Sequence, residues 1–311
     1  GTLIGGLTFL KDWIIRSEVS DALSKIYVRN IKTNKEEELN ITDEKVISPG
    51  ISLKQKDKDT DIINIGYDSP KTPSRTFEYN IKTKEKKLVK EQIIPSGHNR
   101  DDYIVERLNC ESHDRRQIPM TITYHKNTKL DGSAHVLLYG YGSYGMSMGP
   151  SFSSTRLSLI NRNIIWVTCH IRGGMERGMR WWKEGKMLNK KNTFSDFISC
   201  AKFLIERKYT SKKKIIAFGG SAGGLLLGST INQIPDLLLG AIMAVPFVDN
   251  LTTNMDHSLP LTKGELLEFG DAKNIKEHFE YIRSYAPYDN LEKKDYPNIL
   301  ITTSLSDSRV L

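Results

Sequence analysis

Cysteine is nearly missing from this sequence: Cys110, Cys169 and Cys200 are the three in 311 residues. An odd count at wide spacing builds neither a disulfide framework nor a zinc site. Free thiols, one of them (Cys169) inside an apolar run, fit a reducing compartment, and a cytoplasmic protein is expected. The chain also lacks a basic leader followed by an apolar core and a small-residue cleavage site. It opens Gly1-Thr2-Leu3-Ile4-Gly5-Gly6-Leu7 without a methionine, which reads as the middle of a longer chain. No apolar run approaches the roughly 18 residues of a membrane span, so no membrane partner is expected. The formal charge of +8 is spread out, with one dense run at Lys212-Lys213-Lys214. No basic stripe interleaves with aromatics, so no nucleic-acid partner is expected either. Neither a metal nor a cofactor is called for by any spacing.

What is present is ordinary globular composition, 38% hydrophobic and 26% charged, in a chain long enough for one large domain or two modest ones. Two grammars divide it. Residues 1–95 read as short strands broken by turns. Residues 26–31 alternate, Lys32-Thr33-Asn34-Lys35 turns the chain, and 36–40 return. Residues 76–81, the turn Lys82-Thr83-Lys84-Glu85 and residues 86–90 repeat the sentence. The two Asn-Ile-Lys-Thr words start at Asn30 and Asn80, a separation that suits propeller blades or a plain β-meander.

After Pro95-Ser96-Gly97, residues 96–311 alternate strand and helix. Strands are expected at 103–108, 118–124, 136–139, 164–169, 214–218, 241–245 and 298–302, several of them continuously apolar as doubly buried strands are. Helices are expected at 194–206 and 222–233. The fold class is therefore α/β with a mostly parallel sheet.

Three strand ends carry chemistry. Residues 214–218 run into Gly219-Gly220-Ser221-Ala222-Gly223-Gly224 and then a helix. A nucleophile elbow needs this context, with small residues two before and two after the serine where a Cβ would collide. The helix that follows aims unpaired N–H groups at a developing oxyanion. A packing turn is the plainer alternative; a phosphate loop would end in Lys-Ser or Lys-Thr, where Leu225 stands. Tyr139-Gly140-Tyr141-Gly142-Ser143-Tyr144-Gly145 follows an early strand, the place of a second oxyanion donor, and reads equally as a turn that only packs. Asp307 follows the late strand 298–302, where a triad acid belongs, or is a solvated loop aspartate.

Taken together with His170-Ile171-Arg172-Gly173-Gly174, Lys191-Asn192-Thr193-Phe194, Val245-Pro246-Phe247-Val248-Asp249, Pro260-Leu261-Thr262-Lys263-Gly264-Glu265 and Tyr285-Ala286-Pro287-Tyr288-Asp289-Asn290, these segments resemble the peptidase domain of the prolyl oligopeptidase family, above all its oligopeptidase B branch. The resemblance implies an α/β-hydrolase domain over 96–311 that lacks its C-terminal part, preceded over 1–95 by the last one or two blades of a β-propeller. It implies a serine-type oligopeptidase acting on short peptides through an acyl-enzyme. Ser221 would be the nucleophile and Asp307 the acid that orients the histidine. Tyr141 and the backbone N–H of Ala222 would bind the oxyanion. Arg309 would hold a substrate carbonyl, and Glu265 would select Arg or Lys at the cleavage position.

The sequence departs from that pattern in instructive ways. Leu267 stands where oligopeptidase B has a second acid, and Met148-Gly149-Pro150-Ser151 has none where a further acid is usual. With Glu265 alone, helped by Glu268, the preference for basic residues should weaken. Proline specificity is not expected, since the tryptophan that stacks on proline has no counterpart in 261–264. The seven histidines, His98, His113, His125, His135, His170, His257 and His278, all precede Asp307, whereas the family's catalytic histidine follows it. Without that base the hydroxyl would lose several orders of magnitude in rate, and without the last strand and helix apolar surface would be exposed. An esterase or acyl-peptide hydrolase on the same scaffold, and an inactive fragment or pseudo-enzyme, stay open as alternatives.

Overall fold

Two four-stranded antiparallel meanders precede the main sheet in this computed structural model, which describes residues 1–53, 58–307, 309 and 310. The first comprises β1 (Thr2–Phe9), β2 (Trp13–Ser20), β3 (Leu23–Asn30) and β4 (Glu36–Glu38). The second comprises β5 (Ser48–Ser52), β6 (Ile62–Asp68), β7 (Arg75–Asn80) and β8 (Lys86–Glu91). Alternation decides which face is buried: Ile63, Ile65 and Tyr67 of β6 point inward while their neighbours do not. The sheets share one core, in which Ile15, Ile26 and Val28 meet Ile63, Ile65 and Ile81. Two four-stranded meanders stacked on a shared core have the form of successive propeller blades.

The repeated Asn-Ile-Lys-Thr word has a physical cause. Asn30 Oδ1 accepts the N–H groups of Lys32 and Thr33, both at 3.0 Å, and Asn80 Oδ1 those of Lys82 at 2.9 Å and Thr83 at 3.0 Å. Each turn then places a residue in the left-handed region, Asn34 (φ 59°) or Lys84 (φ 67°). Ile31 N–H donates to Asp12 O and Ile81 N–H to Asp61 O, so each turn is tied to the loop one hairpin earlier.

The main sheet contains β9 (Tyr103–Glu111), β10 (Gln117–His125), β11 (Val136–Tyr139), β12 (Ile165–Cys169), β13 (Ile215–Gly220), β14 (Leu238–Ala244) and β15 (Asn298–Thr302). Its spatial order is β15-β14-β13-β11-β12-β10-β9. The pairs β9/β10 and β10/β12 are antiparallel and the rest parallel. All seven expected strands form. β13 continues past the expected end at Phe218, because Gly219 and Gly220 still pair with Met243 and Ala244. β14 begins at Leu238 and not at the expected 241, its extra residues reaching Ile215 and Ile216.

Among the described residues seven helices accompany the sheet: α1 (Ser154–Ile160), α2 (Met179–Lys183), α3 (Lys191–Glu206), α4 (Ala222–Gln233), α5 (Asn250–Met255), α6 (Thr262–Phe269) and α7 (Lys276–Arg283). α3 and α4 cover one face, packing Phe194, Phe197, Leu204, Leu225 and Leu226 on Val136, Leu138, Val167, Ile215 and Ala217. On the other face α1 sets Leu157 and Ile160 against Leu137 and Trp166. Beside it lies a cavity of about 770 Å³ lined by Tyr139, Met148, Arg156, Trp166, Phe218 and Ile242 among others. Along β15, Ile299, Leu300 and Ile301 are exposed. Among the described residues no helix is long and apolar enough to cross a membrane.

The blades meet the α/β unit through the β2–β3 turn. Asp21 and Ala22, at φ 54° and 62°, give that two-residue turn the twist its strands need. Ala22 is buried and its N–H donates to Glu176 O at 2.9 Å, while the Asp21 carboxylate accepts from Arg177 at 2.6 Å. Arg107 donates to the Asp21 carbonyl.

Candidate active site

β13 delivers the chain to Ser221, whose φ of 55° and ψ of −122° lie where a side chain is disfavoured. The surroundings hold it there. Ser221 N–H donates to Ala244 O at 2.9 Å, and Ser221 O accepts the N–H groups of Gly224 at 2.8 Å and Phe247 at 3.0 Å. α4 starts at the next residue, Ala222, without a side-chain cap, so its first N–H groups sit beside the serine. The flanking glycines answer to close approach. A Cβ on Gly219 would stand 2.7 Å from Gly223 O, and one on Gly223 would stand 3.1 Å from Gly140 O. A Cβ on Gly224 would run into the backbone of Pro246.

Tyr141 leaves the end of β11 and reaches the same point. Its half-buried phenol is pushed up by burial, an effect partly offset by the nearby Ser221 side chain. Its ring centroid lies 6.3 Å from that of Tyr144, which meets Phe269 edge-on at 5.9 Å. Tyr144 donates its hydroxyl to Glu265 Oε1 at 3.3 Å, and burial raises the Glu265 carboxyl. Ser221, Ala222, Tyr141 and, one tyrosine further on, Glu265 therefore form one neighbourhood.

Asp307 and Arg309 lie on the loop after β15, at the carboxyl edge of the sheet where β13 and β14 also end. Asp307 Oδ1 accepts the N–H groups of Arg309 and Val310, both at 2.9 Å, and these bonds hold its carboxyl below the usual range. The exposed Arg309 is near enough to lower the Tyr141 phenol. Gly149 and Ser151 line the cavity beside α1, which also reaches Tyr141 and Gly220. Leu267 is 73% exposed.

Glu268 requires a correction. It was expected to help Glu265 receive a cation, yet it is buried, accepts from Trp182 Nε1 at 2.8 Å and lies 3.6 Å from Lys190 Nζ. A carboxylate so engaged is not free for a substrate. The histidines are engaged elsewhere too. His170 is buried against Thr121 at 2.8 Å and held neutral by burial, and His98 contacts Lys71 O at 2.7 Å. His257 lies 3.5 Å from Asp271, whose N–H donates to His278.

Sequence reasoning missed two buried cations. Arg172 spans Asp196 and Asp114, both at 2.6 Å, and locks the segment after β12. Lys190 donates to Gly142 O at 2.7 Å and Ser143 Oγ at 2.6 Å. A charge flush against an apolar strand was the available signal for Arg172; Lys190, beside exposed lysines, offered none. Among the described residues no group of His, Cys, Asp and Glu is placed to hold a metal ion.

A family profile described as "Prolyl oligopeptidase family" matches residues 150–311, and one described as "Prolyl oligopeptidase, N-terminal beta-propeller domain" matches residues 2–92. The chain is 39% identical over 308 residues to "Dipeptidyl aminopeptidase BI" of Pseudoxanthomonas mexicana, covering 99% of this chain and 42% of that protein. It is 43% identical over 258 residues to "Protease 2" of Moraxella lacunata, covering 83% and 37%. Among solved structures, oligopeptidase B from Trypanosoma brucei with covalently bound antipain superposes with a TM-score of 0.92 at 34% identity, over 99% of this chain and 44% of that one. The chain thus spans less than half the length of the relatives it matches.

Proposed function

The chain belongs to the prolyl oligopeptidase family, and from that premise we propose that its protein is a serine oligopeptidase that cleaves short peptides through an acyl-enzyme, with a preference for Arg or Lys before the cleaved bond. Residues 1–95 are taken as the end of the propeller and 96–311 as hydrolase. The observation that carries the reading is Ser221, held at a strained φ and ψ between β13 and α4, beside the first unpaired N–H groups of that helix.

In the proposed reaction Ser221 Oγ attacks the scissile carbonyl, and its proton passes to a histidine supplied from outside residues 1–311 and oriented by Asp307. Negative charge develops on the carbonyl oxygen, which takes hydrogen bonds from the Tyr141 hydroxyl and the Ala222 N–H. Collapse expels the amine with the proton returned by the histidine. Water then releases the acid and restores the serine. Arg309 would hold a substrate carbonyl upstream of the bond. Glu265 would receive the substrate cation as a single carboxylate, which argues for a weaker discrimination than a paired site gives.

A fluorophosphonate probe should label the full-length protein at Ser221, and Ser221→Ala should abolish both labelling and turnover. Peptide amides with Arg or Lys before the bond should be cleaved faster than those with leucine or phenylalanine, and Glu265→Gln should erase that difference. Turnover confined to the apolar series would overturn the basic preference. The similarity to a dipeptidyl aminopeptidase over nearly the whole chain favours a second reading, release of dipeptides from a free N-terminus. Acetylating the substrate's N-terminus separates the two, since an endopeptidase tolerates it.

A further inference from the structure

We propose that Lys190 is a positioning residue for this reaction: from inside the core it fixes the turn that carries Tyr141, and through Glu268 it ties that turn to the helix that carries Glu265. The inference rests on the peptidase reading of Tyr141 and Glu265. Lys190 is 1% exposed. An ammonium has three protons, and this one faces three acceptors: Gly142 O at 2.7 Å, Ser143 Oγ at 2.6 Å and Glu268 Oε1 at 3.6 Å. Gly142 follows Tyr141 directly. In this turn Gly142 (φ 71°) and Tyr144 (φ 57°) both sit in the left-handed region, which is costly for the tyrosine. A Cβ on Gly142 would strike Thr193 and Ile171, so the turn lies flush on the segment from which Lys190 projects.

Stability does not account for the charge. Burying an ammonium costs several kcal/mol, and an apolar residue in its place is often neutral or better. Burial lowers Lys190 to about 8, with Glu268 opposing that fall. What an apolar residue cannot do is satisfy the Gly142 carbonyl and the wholly buried Ser143 hydroxyl together. The pair also has an electrostatic consequence. Glu268 lies close enough to raise both the Tyr141 and the Tyr144 phenols. Lys190 balances that carboxylate; without it, the unpaired negative charge would raise the Tyr141 phenol further and weaken it as a donor to the oxyanion. Glu268 and Glu265 are one turn apart on α6, and Phe269 completes the link by packing on Tyr144 and lying 5.4 Å from Lys190 Nζ.

The test uses the full-length enzyme. Lys190→Met should lower kcat about tenfold or more with KM within about twofold, the pattern of a lost transition-state interaction. Affinity for a peptide boronate, which forms the oxyanion, should fall in parallel. Because Lys190 acts through Tyr141, the same substitution placed on Tyr141→Phe should add less than about twofold, a non-additivity expected of coupled residues. Ser143→Ala removes one acceptor and keeps the volume; it should lower kcat by about two- to fivefold at unchanged KM, and it carries the test if Lys190→Met does not fold. Wild-type kcat in both variants, or an undiminished loss on Tyr141→Phe, overturns the role of Lys190 alone. Absence of peptide turnover by the wild-type enzyme overturns the peptidase reading and this proposal with it.

Discussion

Ser221 is a residue whose backbone and side chain serve different ends. Its φ of 55° and ψ of −122° cost of order 1–3 kcal/mol for a residue with a Cβ. Ser221→Gly should therefore raise the unfolding free energy by about 1 kcal/mol after the glycine's own entropic cost, whereas Ser221→Ala, which keeps the Cβ, should leave it nearly unchanged. Equal stability of the two variants in urea titrations would remove the claim of strain. Gly224→Ala should act in the opposite sense, losing about 1–3 kcal/mol as its methyl meets Pro246 and taking Ser221 labelling with it. At this scale the sequence was legible where a residue's type is forced locally, as with the glycines around Ser221. It was silent where burial decides. Lys190 carried no signal, and Glu268 read as a helper of Glu265, until three-dimensional packing turns each toward the other.

Elements were legible in proportion to their apolar periodicity and their punctuation. β11, β15 and α4 begin and end where expected, since apolar runs bounded by glycine, proline or polar turns leave little choice. β13 ran on because glycine is poor evidence for a strand, yet two glycines still form the ladder when a neighbour needs them. α1, α2 and α5 to α7 escaped notice: each spans eight residues or fewer, too short for a period of 3.6 to declare itself. The fifty-residue echo was legible as words, but only the hydrogen bonds explain it. Asn30 and Asn80 each satisfy two backbone N–H groups of the turn that follows. Asn80→Ala and Asn30→Ala should each cost about 1 kcal/mol, as loss of a comparable capping side chain does. Chemical denaturation of the two variants checks this, and no change at either position would show that the turn closes without its asparagine.

At the scale of the whole molecule, the joint between blades and α/β unit concentrates on Glu176. Its carbonyl receives Ala22 N–H from the β2–β3 turn, and its Oε1 accepts Met148 N–H at 2.9 Å, so one buried residue links the blades to the loop bordering the cavity. Nothing in the sequence marked it, because the partners come from positions 22 and 148. Burial raises the Glu176 carboxyl from 4.5 to about 7, although the Met148 N–H and the nearby Arg107 pull it down. The sign follows from proton counting. Between those two values the folded protein holds a proton that the unfolded chain releases, so this residue's contribution is complete below about pH 4.5 and is lost as pH rises through about 7. A shift of this size corresponds to at most about 3 kcal/mol. Glu176→Gln keeps the acceptor for Met148 and removes the ionisation. The variant should match the wild type near pH 5 and exceed it at pH 8 by up to that amount, flattening the pH dependence of the unfolding midpoint. Parallel stability curves from pH 5 to 8 would mean that the carboxyl titrates normally and that water reaches the joint.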